Sequence, residues 1–256
     1  MLQKERQNKI IELLKRKKTV KITELAEHFR TSIITIRRDF SALEKAGLIK
    51  KIYGGAMLIE ATPSKSVNAV FSARTETNSR EKKQIAAAAA ALVQNGDTIV
   101  LDIGTTCFEM AKQLKPHRDV TVLTNSLPVL NELLGTDMTV YSLGGMLRSG
   151  ELALCGSLAL HALNDFCVSK AFIGAGGVTL EKGLTTHNQD TARLCAAILE
   201  RADEAILLAD SSKFGKNTFA VIGALECVDT IITDKGILPE YADAIRERGI
   251  RLIIAE

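Results

Sequence analysis

The sequence predicts an α/β chain in two parts: an N-terminal winged helix-turn-helix and a larger, doubly wound, mostly parallel α/β domain. Three observations carry this. First, charge is unevenly spread. Residues 1–60 hold 14 Lys and Arg against 7 Asp and Glu, residues 61–256 hold 19 against 23, and the net +3 hides a basic head on an acidic body. Second, apolar residues in the first sixty positions recur three and four apart in successive short segments, then give way to an extended run and Gly54-Gly55. Third, from Thr98 onward short, uniformly apolar runs alternate with helical segments, the pattern of parallel strands covered on both faces.

Composition narrows the function classes. At 256 residues the chain is long enough for one or two domains. It has no apolar run of about 18 residues to cross a membrane, and its N-terminus is charged from Lys4, unlike a secretory leader. A cytoplasmic protein with no membrane partner is expected. Five cysteines, Cys107, Cys155, Cys167, Cys195 and Cys227, are scattered without a Cys-x-x-Cys pair, and the four histidines show no ligand spacing. Reduced thiols are expected, with no metal and no cofactor.

In the head, Lys4–Lys15 places Ile10, Ile11, Leu13 and Leu14 as an amphipathic helix, and Lys15 to Lys18 set positive charge where the helix dipole favours it. Val20 and Ile22 suit a brief extended link. Thr23 is an expected N-cap of a second helix, with Leu25, Ala26 and Phe29 inward. Arg30 and Thr31 make a turn, and Ser32 caps a third helix whose Ile33, Ile36, Phe40 and Leu43 share one face. Gly47 is its expected stop. Leu48–Tyr53 and the Gly-Gly turn then form a β-wing. The third helix is expected in the DNA major groove, presenting Thr35, Arg37 and Arg38. Arginine can grip guanine O6 and N7 with two hydrogen bonds, or clamp a phosphate. Thr23, Ser32, Lys51 and Tyr53 complete the expected DNA-contacting set. A small helical protein-interaction domain is the bland alternative for this segment.

The segment from Thr35 to Asp39 (Thr-Ile-Arg-Arg-Asp), Leu43-Glu44, Gly47 and Tyr53-Gly-Gly-Ala56 resemble the N-terminal signature of the DeoR family of bacterial sugar-catabolism repressors. Tyr53 stands where that family commonly has His. The expected boundaries are 1–57 for the DNA-binding head, 58–79 for a linker rich in Ser, Thr, Ala and Asn, and 80–256 for an effector domain.

The body opens with an alanine-rich helix, Glu81–Gln94. Its expected strands are 98–102, 120–124, 139–143, 170–175, 205–209, 230–233 and 251–254, with helices near 106–115, 127–135, 188–203 and 239–248. Ligands in such sheets bind beyond the carboxyl ends of strands. Five strand ends carry polar or glycine residues: Asp102 with Gly104, Thr105 and Thr106; Thr124, Asn125 and Ser126; Gly144, Gly145 and Arg148; Gly174, Gly176 and Gly177; and Asp210 with Lys213. Free N–H groups at a helix start, a glycine that lets backbone approach and a nearby Lys suit a phosphate, while Asp and Asn suit sugar hydroxyls. Each strand end alone is equally an ordinary turn.

These same segments are similar to the family's effector-domain signatures, as are Leu143-Gly-Gly145, Lys170–Gly174, Leu208–Gly215 and Ile232–Asp234. The resemblance implies a fold like those of sugar-phosphate isomerases and CoA-transferases, a phosphorylated sugar or sugar alcohol as effector, double-stranded operator DNA as partner, and a homo-oligomer, a dimer or tetramer. The chain departs from the family pattern at Ser169 and Gly176, where Asp is frequent, and at Leu194 and Cys195, where basic residues are. A repressor of a carbohydrate-utilisation operon is the function expected. The alternative is a sugar-phosphate isomerase-like enzyme with an accessory DNA-binding domain, its base drawn from Asp102, Asp210 or Glu151. The Asp-Gly-Ala-Asp pattern that reading calls for is absent.

Overall fold

The structure, a computed structural model, describes residues 3–17, 19–45, 48–58 and 67–256. It divides into two compact units, residues 1–66 and 67–256.

The first unit runs α1 (Gln3–Lys17), β1 (Thr19–Lys21), α2 (Ile22–His28), α3 (Ile33–Lys45), β2 (Ile49–Ile52) and β3 (Gly55–Leu58). The apolar stripes meet in one core of Ile10, Leu14, Leu25, Ile36, Phe40, Leu43, Ile49 and Ala56. Burying each large apolar side chain contributes about 1.5–3 kcal/mol. Arg30, at φ 46°, makes the turn between α2 and α3. The strands pair antiparallel in the order β1-β3-β2, so the extended link is itself a strand of the wing. Two details of the sequence reading change. Ile33 is exposed at the first residue of α3, where the stripe has not yet turned inward. Thr23 does not cap α2: the helix begins two residues earlier than that cap implies, at Ile22, with Lys21 at the cap position. The expected stop at Gly47 lies outside the described residues.

The second unit continues with α4 (Val67–Glu76), α5 (Ser79–Ala90), β4 (Thr98–Leu101), α6 (Thr105–Leu114), β5 (Thr121–Thr124), α7 (Leu127–Glu132), β6 (Thr139–Ser142), β7 (Met146–Arg148) and β8 (Ala153–Cys155). Then come α8 (Ser157–Leu163), β9 (Val168–Gly174), β10 (Gly177–Thr179), β11 (Gly183–Thr186), α9 (Gln189–Arg201) and β12 (Ala202–Leu208). β13 (Ala220–Gly223), β14 (Thr230–Asp234), α10 (Pro239–Glu247) and β15 (Arg251–Ala255) complete it. All seven expected strands lie in one seven-stranded parallel sheet, ordered β15-β14-β12-β9-β4-β5-β6.

The uniformly apolar strands follow from burial on both faces. Ile99 and Leu101 of β4 join one core with α5, α6 and α7, while Val100 between them joins the other with α8, α9 and α10. The order also fixes where a crevice opens. The chain adds β5 and β6 on one side of β4, then returns to lay β9, β12, β14 and β15 on the other. The loops after β4 and β9 therefore diverge, which marks the topological switch point where doubly wound sheets bind ligands.

The linker expected over 58–79 is corrected at its C-terminal end. Val67–Glu76 is helical and belongs to the second unit, with Phe71 meeting Phe108 of α6 edge-on at 5.4 Å between ring centroids. Its weak helical periodicity hid it. Residues 59–66 of that linker lie outside the described residues. The small antiparallel pieces, β7-β8 and β10-β11-β13, and helix α8 also went unread, being too short for a period to show.

Candidate functional site

In the head, Arg37 and Arg38 are both exposed on α3, and Ile34 between its turns is 64% exposed. Ser32 Oγ accepts the backbone N–H of Thr35 at 3.2 Å and lies 2.9 Å from the Thr35 hydroxyl, so these two hydroxyls serve the helix start as well as its outer face. Beneath them Asp39, fully buried, accepts from Arg6 Nε at 2.5 Å and Gln7 Nε2 at 3.3 Å. That ion pair ties α3 to α1 and sets which face of α3 looks outward. Lys51, on the wing, donates to Ser41 Oγ at 3.0 Å and pairs with Glu44 at 2.9 Å. Tyr53 is fully exposed at the wing tip, and Thr23 is exposed in the first turn of α2. The outer face of α3 and the wing thus offer two arginines, a tethered lysine and a phenol.

In the body, a cleft opens at the switch point with a cavity volume of about 60 Å³. Asp102, Gly104, Thr105 and Thr106 line it after β4, and Gly174, Ala175 and Gly176 after β9. Gly104 sits at φ 123°, a conformation that L side chains rarely adopt, and it delivers the chain into α6 with its first amides unpaired by any side-chain cap. Lys213, after β12, faces the same space. Asp210 is buried beside it, and its Oδ1 accepts from Asn78 Nδ2 at 2.9 Å and from the Ser212 amide at 3.1 Å.

Not every expected residue reaches the cleft. Thr124 donates to the Leu101 carbonyl at 2.6 Å, and Ser126 caps α7 by accepting from the Val129 amide. Asn125 is buried with its Oδ1 unpaired. These lie after β5, one strand beyond the switch point, so they build the wall behind Asp102. Gly144 and Gly145 form the turn into the β7-β8 hairpin, and a Cβ on Gly145 would come within 2.4 Å of the Cys155 carbonyl. Their glycine serves that close packing. Gly177 likewise lies under the Lys216 carbonyl. Arg148 stands one step back, 3.6 Å from Glu151, and Glu151 does line the cleft.

The cleft also recruits residues that the strand-end rule did not find: Arg74 from α4, Lys82 from α5, Thr186 and His187 after β11, and Thr191 from α9. Glu151 Oε2 accepts the Thr191 hydroxyl at 2.9 Å. At its floor Asp102 is 1% exposed, with Oδ2 accepting the Cys195 thiol at 3.2 Å and Oδ1 without a hydrogen-bond partner. Desolvation pushes its pKa from the usual 3.8 up to about 6, opposed by nearby donors on Ile103, Cys195, Gly174 and Asn125. Of these donors, the Cys195 thiol alone meets hydrogen-bond geometry. Burial, then the Asp102 charge, push the Cys195 thiol well above its usual range, so it stays protonated as the donor.

A pH effect follows. The folded chain holds the Asp102 proton more tightly than the unfolded chain, so stability falls as pH rises from about 4 to about 6 and is level above that. The penalty at pH 7 is about 3 kcal/mol. Asp102→Asn is expected to melt higher than the parent at pH 7 and to flatten the dependence between pH 4 and 6. A parent chain whose stability does not fall across that window, relative to the variant, would contradict the shift.

Two family models match: the DeoR-like helix-turn-helix domain over residues 6–62 and the DeoR C terminal sensor domain over residues 77–235. The chain belongs to the DeoR family. Its relatives in that family are similar along nearly their whole length. The glycerol-3-phosphate regulon repressor of Escherichia coli strain K12 is 36% identical over 235 residues, 91% of this chain and 92% of the relative. The transcriptional repressor AccR of Agrobacterium fabrum is 36% identical over 251 residues, 96% of each. The HTH-type transcriptional regulator GolR of Listeria innocua is 36% identical over 253 residues, 98% of each. Among solved structures, the ribose 5-phosphate isomerase A of Methanocaldococcus jannaschii aligns with a TM-score of 0.41 at 20% identity, over 54% of this chain and 55% of that one. So partial a likeness decides nothing about activity.

Three of the positions at which the sequence was expected to depart from its family can be placed in the fold. Ser169 lies at the start of β9, away from the cleft, where its hydroxyl donates to the Thr98 carbonyl at 2.9 Å. Gly176 lines the cleft, where a Cβ would come within 3.2 Å of His187 Nε2 and within 3.1 Å of Thr218. Cys195 is the thiol beneath Asp102. Of these positions, Gly176 lines the cleft, and Cys195 bonds the carboxylate at its floor. No helix among the described residues is long and apolar enough to cross a membrane.

Proposed function

We propose that this DNA-binding transcriptional regulator represses a carbohydrate-utilisation operon, and that a phosphorylated sugar or sugar alcohol in the switch-point cleft controls its grip on the operator. The observation that carries the reading is the cleft's composition. The start of α6, two threonine hydroxyls and cationic side chains meet a buried carboxylate in one crevice. That set matches the two ends of a phosphosugar, an anion and a row of hydroxyls. The expected DNA contacts are Thr35, Arg37 and Arg38 on the helix in the major groove, with Thr23, Ser32, Lys51 and Tyr53 completing the set. No cofactor enters this scheme. Paired heads reading repeated half-sites call for a homo-oligomer.

The chain is read as a regulator with no catalytic turnover of its own. Aldose–ketose exchange needs a base free to move a proton. Asp210 is committed to Asn78 and Ser212, and Glu151 to Thr191 and Arg148. Asp102 is left, bonded to a thiol and with no second carboxylate on it.

The test is retardation of the DNA upstream of the chain's own gene cluster, with and without a panel of sugar phosphates. Retardation is expected without ligand, and it should weaken steeply with salt as phosphate contacts release counterions. Absence of retardation at low salt would contradict the reading, as would product formed from any sugar phosphate followed by NMR.

A further inference from the structure

We infer that the open edge formed by β6 and β7 is where two copies of this chain pair, with the two β6 strands antiparallel across a two-fold axis. The inference rests on the reading that paired heads grip the operator, and it names the surface that pairs them.

β6 is last in the order of the seven-stranded sheet, with β5 its only strand partner among the described residues. Just beyond it, the Leu143 amide donates inward to the Thr124 carbonyl at 3.0 Å. Backbone groups of successive strand residues alternate sides, so those of Tyr141 also face β5 while the N–H and C=O groups of Val140 and Ser142 face outward. After Gly144 and Gly145 the chain enters β7, which pairs with β8 alone. A bridge between Ser126 and Ala153 ties β8 to the body, so β7 is the outer strand of the hairpin. A two-stranded hairpin is marginal in water by itself. Met146 and Leu147 are successive strand residues on opposite faces and both are exposed, so neither face of β7 is covered.

Native sheets guard such edges with lysine, proline or inward charge. Thr139 to Leu147 contains no charged residue and no proline. It carries Tyr141 and Met146, residue types that concentrate in interfaces, and Tyr141 packs on Phe166 at 5.0 Å between ring centroids. Beside the edge, a groove of about 320 Å³ lined in part by Leu130, Leu134 and Val140 opens between α7 and β6.

Three features select a second copy as the occupant. An interface about a two-fold brings residues near their own copies, so a charge close to the axis would meet itself, and this edge has none. The outward groups of Val140 and Ser142 find matching acceptors and donors in the same strand running the other way, which joins the two sheets into one. Leu134, Tyr141, Met146 and Leu147 are 75%, 45%, 55% and 55% exposed. At about 200 Å² for a large side chain in the open, they offer roughly 450 Å², over half of the about 800 Å² that each partner gives to a standard interface.

The experiment is sedimentation velocity of the full chain, without DNA, from about 1 to about 50 µM, with hydrogen exchange of the 139–148 segment on the same samples. The parent is expected to sediment as a dimer or larger. The double variant Leu134→Lys with Leu147→Lys, at two exposed positions, should keep the parent's far-ultraviolet circular dichroism, halve the mass and speed exchange in 139–148 by about tenfold. Should it fail to fold, Met146→Lys alone decides. Leu238→Lys, at an exposed residue just before α10, should leave both readings at their parental values. A parent that stays monomeric overturns the proposal, as does a folded edge variant of parental mass or a Leu238→Lys chain that also halves. Slow exchange of 139–148 that persists in the halved variant would mean that another part of the chain covers the edge, and overturns it too. Retardation of DNA is measured separately, so the operator reading can fail while the pairing stands.

Discussion

Replacing Arg37 with alanine is expected to weaken operator binding about tenfold to a hundredfold, roughly 1–3 kcal/mol, while the head stays folded. The residue is exposed on the outer face of α3, and the apolar residues on the other side of that helix, Ile36, Phe40 and Leu43, hold it in place without it. The loss therefore appears in DNA affinity and not in the melting curve. Fluorescence anisotropy on labelled operator measures it, with a scrambled duplex alongside. If Arg37 reads a base, the loss is confined to the operator; if it clamps a phosphate, both duplexes lose alike and the salt slope shrinks by about one ion. Near-parental affinity on both would mean that another face of α3 meets the DNA.

Arg6→Met is expected to destabilise the head by about 3–5 kcal/mol, enough to unfold much of so small a unit. Asp39 is fully buried and its carboxylate takes a 2.5 Å bond from Arg6, with Gln7 at 3.3 Å. Without Arg6 the charge is left in the core with one neutral donor. The cost is that of an orphaned carboxylate, which exceeds the net value of the pair. DNA binding should vanish at 37 °C, while the body, a separate compact unit, melts as before. The double variant Arg6→Met with Asp39→Leu should recover most of the loss, because it removes the orphan. Two-transition melting curves check this. A single variant as stable as the parent would show that Asp39 is satisfied without Arg6.

Much of this was legible in the chain, for reasons that particular residues make clear. The seven strands of the sheet could be read because both faces are covered, so runs such as Thr98–Leu101 and Ala205–Leu208 carry almost no polar interruption. Asp102, Gly104, Thr105 and Thr106 could be read because a strand end, a glycine and hydroxyls adjoin in sequence. Gly144 and Gly145 misled for the opposite reason. Their setting resembles a ligand loop, yet β6 is an edge strand and the chain merely turns there into a hairpin. Arg74 and Lys82 were hidden. No local pattern marks a lysine as buried, and α4 has too weak a stripe to be seen as a helix. Only the strand order brings them to the cleft, together with His187 and Thr191.

The most direct test joins the two units. The dissociation constant for operator is measured at rising concentrations of a sugar phosphate that binds the body, and that ligand's own constant is measured with and without operator. Thermodynamic linkage requires the two factors to be equal, and a working switch puts them at about 5 to 150. Equal factors in that range are expected, in either direction. A sugar phosphate that fills the cleft while the operator constant stays where it was would contradict the coupling of reader and cleft.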